Sequence, residues 1–206
     1  MRIVLTGFNP FGGLEVNPSA VVVERLAAAP PPGVELAAAV LPTEYAAADA
    51  RLAALLAAAP PAALLALGVA RGSAEVRLER FALNLDDSEP DNAGDAPRGR
   101  VIAPEGPAAY RSTLPLEALH AALAAEGFPV ALSNHAGTYL CNHVFYRARH
   151  ELARQGSAAP CGLIHLPESA AGEAPPGMLS LEGAVRVVGR CLEVLAESLA
   201  AGPQSL

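Results

Sequence analysis

Cys141 has the surroundings of a nucleophilic thiol. A glycine and a threonine come shortly before it, and an amphipathic pattern from about Thr138 to about Gln155 predicts a helix, so the thiol should lie in the first turn. Unpaired backbone N–H groups and the positive end of the helix dipole stabilise an anion there, which favours the thiolate. The sequence therefore predicts that Cys141 is a nucleophile.

His165 is the histidine best placed to pair with this thiol. It lies near the end of a short apolar strand predicted over 161–166, and Pro167 follows closely. In α/β sheets the chemistry usually lies at the carboxyl ends of strands. The other two cysteines, Cys161 and Cys191, lie in a strand pattern and a helix pattern, which is typical of inert core thiols.

A metal site is the alternative use of the region around the cysteine, because His135, Cys141 and His143 are close in sequence. Their spacing matches none of the common zinc patterns. In addition, helix residues two positions apart point about 200° away from each other. The spacing therefore favours a nucleophile over a metal ligand.

Composition indicates an ordinary globular protein. The chain has 206 residues, of which 52% are hydrophobic and 17% charged, so we expect one domain over 1–206 with a sizeable core. The net charge is −7 and no basic patch is visible, which argues against nucleic-acid binding. Three cysteines make no disulfide framework. Because neither a signal segment nor a membrane-length apolar stretch is present, we expect a soluble, cytoplasmic protein.

Strand patterns and helix patterns alternate along the chain, which predicts a three-layer α/β/α sandwich with a largely parallel, mixed and twisted sheet flanked by helices. Asn17 is predicted to be the N-cap of the first helix, with Pro18 at its first position. Residues 87–114 form a long loop, which we expect to be mobile and to hold a short strand or turn near Val101. The predicted strands are 3–6, 34–41, 62–68, 76–85, 129–133 and 161–166, and the predicted helices are 18–28, 44–58, 115–126, 138–155 and 180–200.

Several blocks of the sequence closely resemble the pyroglutamyl peptidase I family, also called pyrrolidone-carboxylate peptidases. The opening block contains the run Thr6-Gly7-Phe8-Asn9-Pro10-Phe11-Gly12-Gly13 and continues to Ser19. The other blocks follow in the family's order, at 78–87, around Cys141 and at 162–167. One such block would be weak support, whereas four in register cover most of the chain.

The resemblance implies a cytoplasmic cysteine peptidase that removes an N-terminal pyroglutamyl (5-oxoproline) residue from peptides. It also implies that the enzyme needs no cofactor and forms a homo-oligomer, usually a tetramer. Carried over residue by residue, the nucleophile is Cys141, the histidine is His165 and the third, acidic member is Glu79.

The residues themselves give separate support to Glu79. If 76–85 is one strand, Glu79 shares a face with Phe81, Leu83 and Leu85, because alternate residues point the same way. A carboxylate on an apolar face is costly unless a partner meets it, and an imidazolium is such a partner. The alternative is a surface glutamate paired with a neighbouring arginine, which contributes little.

A pyroglutamyl ring is flat and uncharged, so its pocket should be apolar. Phe8 and Phe11, in a turn rich in glycine and proline, could form its wall, and backbone groups would bond the lactam. The resemblance assigns both phenylalanines to the pocket and adds Thr43, Tyr139 and Leu140. We expect a structural role in shaping the pocket for Gly7, Gly12, Gly13 and Asn17.

Two departures from the family's pattern leave open whether the chain is fully active. Val69, Arg71 and Ser73 stand where the family commonly has Gln, Gly and Arg, and the segment 88–92 is shorter than usual and lacks an arginine. Arg71 or Arg80 could take the missing role. The first alternative is therefore a catalytically impaired relative that binds pyroglutamyl or similar cyclic ligands. A nucleoside phosphorylase is a second, but we find no glycine-rich phosphate cradle.

Overall fold

The structure is a computed structural model that describes residues 1–168 and 178–202. The chain forms strands and helices that largely alternate, as the sequence patterns predict. The strands are β1 (Arg2–Phe8), β2 (Glu35–Leu41), β3 (Ala63–Ala70), β4 (Val76–Glu79), β5 (Phe81–Leu83), β6 (Ala109–Arg111), β7 (Val130–Ser133) and β8 (Cys161–Pro167). The helices are α1 (Pro18–Ala28), α2 (Tyr45–Ala58), α3 (Leu116–Ala125), α4 (Leu140–Arg154) and α5 (Leu181–Ala201).

Six strands form one sheet in the order β2-β1-β3-β8-β4-β7. Neighbouring strands are parallel except β4 and β8, which are antiparallel. Strands β5 and β6 pair separately as a small antiparallel ribbon. The predicted class, a mixed and mostly parallel sheet flanked by helices, is confirmed.

Two hydrophobic cores lie on the two faces of the sheet. Helices α1, α3 and α5 cover one face, and helices α2 and α4 cover the other. All residues of β3 are buried, as expected for a central strand that is apolar on both faces. Helix α1 begins as predicted, because the Asn17 side chain accepts a hydrogen bond from the Ser19 N–H. No helix in the described part of the chain is both long and apolar enough to cross a membrane.

The prediction of one strand over 76–85 is wrong, because the chain leaves the main sheet at Arg80. The Arg80 N–H donates to the Ser133 carbonyl at 2.9 Å, which completes pairing with β7, and its carbonyl accepts from the Ser112 N–H at 2.7 Å. Glu79 and Phe81 consequently do not share a buried face: Glu79 is 0% exposed and Phe81 39%. Glu79 is buried because it ends a strand of the main sheet.

The long loop over 87–114 packs against the sheet end through many hydrogen bonds. Near Val101 it makes only an isolated bridge between Asp86 and Arg100, and the regular strand in this stretch is β6. The Asp91 carboxylate accepts from the Tyr45 N–H at 2.9 Å, and the Asn92 N–H donates to the Thr43 carbonyl at 2.9 Å. The shortened segment 88–92 is thus tied to the start of α2.

Candidate active site

Cys141, His165 and Glu79 come together at the carboxyl end of β3. The His165 Nδ1–H donates to Glu79 Oε1 at 2.8 Å, and Nε2 lies on the side of the Cys141 sulfur. Gly68 of β3 forms the floor: a Cβ added there would lie 2.6 Å from the Cys141 sulfur and 3.0 Å from His165 Nε2. The two imidazole nitrogens therefore face the carboxylate and the sulfur, respectively.

The charge on His165 is stabilised by its two partners. Burial disfavours the imidazolium, but the hydrogen bonds to Cys141 and Glu79 outweigh it and raise the pKa of His165 to about 9. The imidazole is consequently protonated at neutral pH. A protonated ring beside a sulfur atom is the arrangement that stabilises a thiolate.

The first turn of α4 presents backbone donors beside the sulfur. Tyr139 is the N-cap residue and Cys141 is the second helical residue, as the sequence predicts. The first intrahelical hydrogen bond runs from the His143 N–H to the Tyr139 carbonyl at 3.0 Å. The N–H groups of residues 140–142 therefore have no acceptor within the helix and can bind an anion.

Asn142 fixes the position of this helical turn, a role that sequence reasoning missed. Its side-chain oxygen accepts from the Leu83 N–H at 2.7 Å, and its NH₂ group donates to the carbonyls of Leu83 and Leu85 at 2.9 and 3.0 Å. The amide thus acts as an extra strand partner for the backbone of β5. Its place directly after the cysteine was the only signal in the sequence.

His143 fixes the same turn from the other side. Its Nδ1 lies 2.9 Å from Asp86 Oδ2 and its Nε2 lies 3.2 Å from Asp49 Oδ1, so neither nitrogen is free to bind a metal with Cys141. Burial opposes its charge, but the two carboxylates raise the pKa of His143. Within residues 1–168 and 178–202, no group of three or more His, Cys, Asp or Glu side chains could hold a metal ion.

A cavity of about 630 Å³ opens beside the sulfur. Val69 and Arg71, two of the positions that depart from the family's pattern, line it, whereas Ser73 turns away and bonds the backbone of Glu75. Arg80 bonds Asn134 and does not line the cavity, so Arg71 is the one of the two suggested substitutes that lies at the site, where Arg77 is also present. The lining residues are Phe11, Val69, Ala70, Arg71, Arg77, Glu79, Leu132, Ser133, Asn134, His135, Ala136, Gly137, Thr138, Tyr139, Cys141 and His165.

Of the five residues expected to bind substrate, Phe11 and Tyr139 line this cavity, with ring centroids 5.7 Å apart. The other three do not line it. Phe8 ends strand β1 and is 2% exposed in the core, and Leu140 is 1% exposed there. Thr43 is also buried, and its N–H and hydroxyl both donate hydrogen bonds to Asn9. Phe8 and Leu140 belong to the core cluster against which Tyr139 packs.

The turn that carries Phe11 is held by close packing and unusual backbone angles. Gly7 lies so near the Ser19 carbonyl that a Cβ there would be 2.5 Å from its oxygen. Gly12 and Gly13 have φ values of +56° and +83°, which side chains disfavour. The Asn17 amide donates to the Asn9 carbonyl at 3.1 Å and so joins the turn to α1.

Sequence comparison finds relatives that align with most of this chain. The family model described as pyroglutamyl peptidase matches residues 1–198. The chain is 42% identical over 199 residues to the pyrrolidone-carboxylate peptidase of Gloeobacter violaceus, covering 95% of this chain and 97% of that protein. It is 43% identical over 167 residues to the namesake from Streptomyces coelicolor, covering 81% of this chain and 77% of that protein.

Solved structures give the same result. A mutant pyrrolidone carboxyl peptidase from Pyrococcus furiosus superposes with a TM-score of 0.90 at 32% identity, covering 97% of this chain and all of that one (100%). The enzyme from Thermococcus litoralis superposes with a TM-score of 0.91 at 28% identity, covering 100% of this chain and 97% of that chain.

Proposed function

The chain belongs to the pyroglutamyl peptidase family, and from this premise we propose that it removes N-terminal pyroglutamyl residues from peptides with Cys141 as nucleophile, His165 as acid and base, and Glu79 as the group that orients the histidine. The observation that carries these roles is the series from Glu79 through His165 to Cys141, in which the carboxylate binds one ring nitrogen and the sulfur lies beside the other. Each member stands where nucleophilic catalysis needs it.

Acylation begins from the thiolate and the imidazolium. The Cys141 sulfur attacks the carbonyl carbon of the pyroglutamyl residue, and the C=O electron pair moves onto oxygen. When the tetrahedral intermediate collapses, the C–N bond breaks and His165 Nε2 gives its proton to the leaving amine. A thioester and a neutral imidazole remain.

Deacylation reverses these roles. The neutral His165 takes a proton from water, and the resulting hydroxide attacks the thioester carbon. Collapse expels the Cys141 thiolate, releases 5-oxoproline and leaves His165 protonated again. Throughout, Glu79 accepts from Nδ1 and thereby keeps Nε2 directed at the reacting atoms.

The oxyanion of both tetrahedral intermediates would be stabilised by the backbone N–H groups at the start of α4. These donors are already oriented before the reaction and lie next to the sulfur, which makes them effective at developing negative charge. The rigid attachment of this turn through Asn142 and His143 supports that role.

The lactam ring would lie against Phe11 and Tyr139. Both rings line the cavity, and the one carboxylate among the described lining residues, that of Glu79, is already bonded to His165. The wall therefore offers an apolar surface to an uncharged ring. An N-terminal residue with a free ammonium would gain no counter-charge there.

We also infer from the family resemblance a single domain over 1–206 that works as a homotetramer in the cytoplasm without a cofactor. One six-stranded sheet with helices on both faces supports the single domain. Size-exclusion chromatography with light scattering would test the tetramer, and a monomer of full activity would contradict it.

Hydrolysis of a chromogenic pyroglutamyl amide tests the function. We expect turnover by the wild type, and its loss in Cys141→Ala and after treatment with iodoacetamide. The reagent should label Cys141 alone, because Cys161 and Cys191 are 0% exposed and burial raises the pKa of both to about 12. Pyroglutamate binding without turnover in the wild type would contradict the proposal and identify an impaired relative.

A further inference from the structure

Two guanidinium groups, those of Arg71 and Arg77, line the catalytic cavity, and within the described residues neither has a carboxylate partner. Glu79 lines the same cavity, but its carboxylate accepts the hydrogen bond from His165. In a chain with 21 acidic and 14 basic residues, this local excess of positive charge is unusual. A pyroglutamyl ring has no charge and cannot account for it.

Arg71 lies at the end of the cavity where the lactam is expected. Its Cζ lies 4.8 Å from the centroid of the Phe11 ring, and Nη2 donates to the carbonyls of Phe11 and Gly12 at 3.2 and 2.9 Å. The guanidinium therefore packs against the Phe11 ring and holds its turn, while Tyr139 has no such contact among the described residues. This position accounts for Arg71 as part of the lactam-binding end.

Arg77 lies on the other side of the histidine. It pairs directly with His165 across the antiparallel strands β4 and β8, and residues in such a pair project from the same face of the sheet. The side chain is exposed, and no hydrogen bond or ion pair holds it among the residues described. Its five N–H donors are consequently available to a ligand.

The reaction decides which part of a substrate would meet Arg77. His165 must protonate the leaving nitrogen, so the residue that follows the scissile bond lies beside His165 and away from Phe11. On the basis of the proposed function, we propose that Arg77 is a specificity-determining residue that selects peptides with a carboxylate directly after the pyroglutamyl residue. This carboxylate is the side chain of Asp or Glu, or the C-terminus of a dipeptide.

A guanidinium recognises a carboxylate through charge and through paired hydrogen bonds. Because Arg77 is exposed, solvent and salt screen part of the attraction, and the preference should be moderate. We expect about a tenfold higher kcat/KM for an acidic residue than for its neutral amide at low salt, a typical value for one charge-assisted contact.

The test compares pyroglutamyl-glutamyl-alanine amide with pyroglutamyl-glutaminyl-alanine amide, which differ in charge and hardly in shape. Release of the dipeptide amide is followed by chromatography at low salt (~20 mM NaCl) and high salt (~500 mM NaCl), where a screening length about fivefold shorter should lower the ratio. Hydrolysis of neither peptide, nor of a pyroglutamyl anilide, would reject the proposed function itself. Hydrolysis of both at equal kcat/KM would reject only the role of Arg77.

Three variants assign the preference to one residue. Arg77→Gln should bring the ratio close to one while the anilide is still cleaved, and Arg77→Lys should keep most of it. Arg51→Gln, an exposed arginine of α2 outside the cavity, should leave the ratio and the basal activity unchanged. A further variant, Arg71→Gln, should weaken both peptides alike, because it acts at the lactam end.

Two outcomes overturn the proposal even when the enzyme is active. One is a wild-type ratio that persists in Arg77→Gln or disappears in Arg71→Gln. The other is an equal loss on both peptides in Arg77→Gln, which would mean a general structural role. If Arg77→Gln fails to fold, the wild type alone still gives a test. A ratio of kcat/KM for the two peptides that does not change with salt would then overturn the proposal.

Discussion

Glu79 combines a proposed catalytic role with an energetic cost at a single residue. Its Oε1 accepts from His165, while Oε2 has no hydrogen-bond partner among the described residues, although the side chain is 1% exposed. A buried oxygen without a partner lowers stability. The loss of stability is offset in function, because a charged acceptor orients His165 and stabilises its positive charge.

Replacing Glu79 with Gln should remove the charge and keep the shape. We expect kcat to fall by about 10²–10⁴, with little change in KM, because a neutral amide no longer orients and stabilises the imidazolium. Since the bond to Glu79 helps to raise the pKa of His165 to about 9, the alkaline limb of the activity profile should move to lower pH. Kinetics against pH with a pyroglutamyl anilide would check both effects.

Glu75→Gln is the matched control, because Glu75 is exposed and lies outside the cavity. Its activity and pH profile should equal those of the wild type. A Glu79→Gln enzyme with normal kcat and an unmoved alkaline limb would contradict the orienting role.

Cys141 and His165 were predictable from residue types, because a helix start and a strand end can both be recognised locally. Glu79 needed the family resemblance, since the strand argument for it placed Phe81 on the same buried face. Local alternation could not reveal that the chain turns at Arg80 into another sheet. Asn142 was missed because its partners in β5 are distant in sequence.

At the scale of elements, strand β3 supplies the floor of the site by having no side chain at Gly68. In Gly68→Ala, the new methyl group would lie 2.6 Å from the Cys141 sulfur and 2.8 Å from His165 Cδ2. We expect activity to fall at least about 100-fold, since small displacements of reacting groups have effects of that size. Overpacking should also lower the free energy of unfolding by about 1–3 kcal/mol.

Gly189→Ala provides the control for this substitution. Gly189 lies inside α5, and its added Cβ would meet only Leu26 Cδ2 at 3.8 Å, which is ordinary contact. Activity should be unchanged and stability higher by about 0.5–1 kcal/mol, because alanine favours a helix over glycine. Urea unfolding and anilide kinetics on both variants make the comparison. Equal activity in the two alanine variants would show that the floor tolerates a methyl group.

The first turn of α4 depends on its attachment to β5. Asn142→Ala removes three hydrogen bonds and leaves the backbone N–H of Leu83 without its acceptor. We expect a loss of about 2–4 kcal/mol in the free energy of unfolding, from the lost bonds and the unsatisfied groups, and urea unfolding would measure it. Because the cysteine is the preceding residue, kcat should fall as well.

Asn134→Ala is a suitable control, because Asn134 is exposed and its side chain bonds that of Arg80 at the surface. Its unfolding free energy should change by less than about 0.5 kcal/mol. If Asn142→Ala were as stable as this control, the attachment to β5 would have no energetic role.

Element boundaries explain why two pocket residues were assigned differently by sequence and structure. Phe8 and Phe11 occupy one turn motif, but β1 extends to Phe8 and directs that ring into the core, while Phe11 follows the strand and meets the cavity. The predicted strand ended at Thr6. A small difference in the position of a strand end is enough to exchange core for pocket.

At the scale of the whole molecule, the layered fold was predictable because apolar periodicity is a local property. The strand order was not, since pairing joins segments that are far apart in sequence. The antiparallel pairing of β4 with β8 is the feature that brings the end of β4 to the middle of β8. In this register Arg77 lies opposite His165, and Glu79 lies two residues further along β4 on the same face.

His143 connects three distant parts of the molecule, because it bonds Asp49 of α2 and Asp86 before the long loop. Arg147 and Arg100 pair in turn with these carboxylates. The pKa of His143 is raised although burial opposes it, and that of Asp49 is lowered although burial opposes that shift too. The folded state therefore favours the charged form of both groups.

The sign of the pH dependence follows from these two shifts. A raised histidine pKa stabilises the fold fully below the unfolded value of about 6.5, and the contribution is lost as pH rises through the folded pKa. A lowered aspartate pKa stabilises above the unfolded value and is lost on acidification. The free energy of unfolding should accordingly fall as pH rises above about 6.5, and urea unfolding at each pH would measure it.

His143→Gln should flatten the alkaline part of this dependence, because glutamine cannot gain or lose the proton that links α2, α4 and the loop. His120→Gln, at a half-buried residue of α3 without an ion-pair partner in the described chain, should keep the wild-type slope. The raised pKa of His165 adds its own loss of stability above about pH 6.5 by the same rule, so the slope in His143→Gln should be smaller than in the wild type but not zero. A His143→Gln protein that loses stability with pH as steeply as the wild type would therefore locate the effect elsewhere and contradict the linking role of His143.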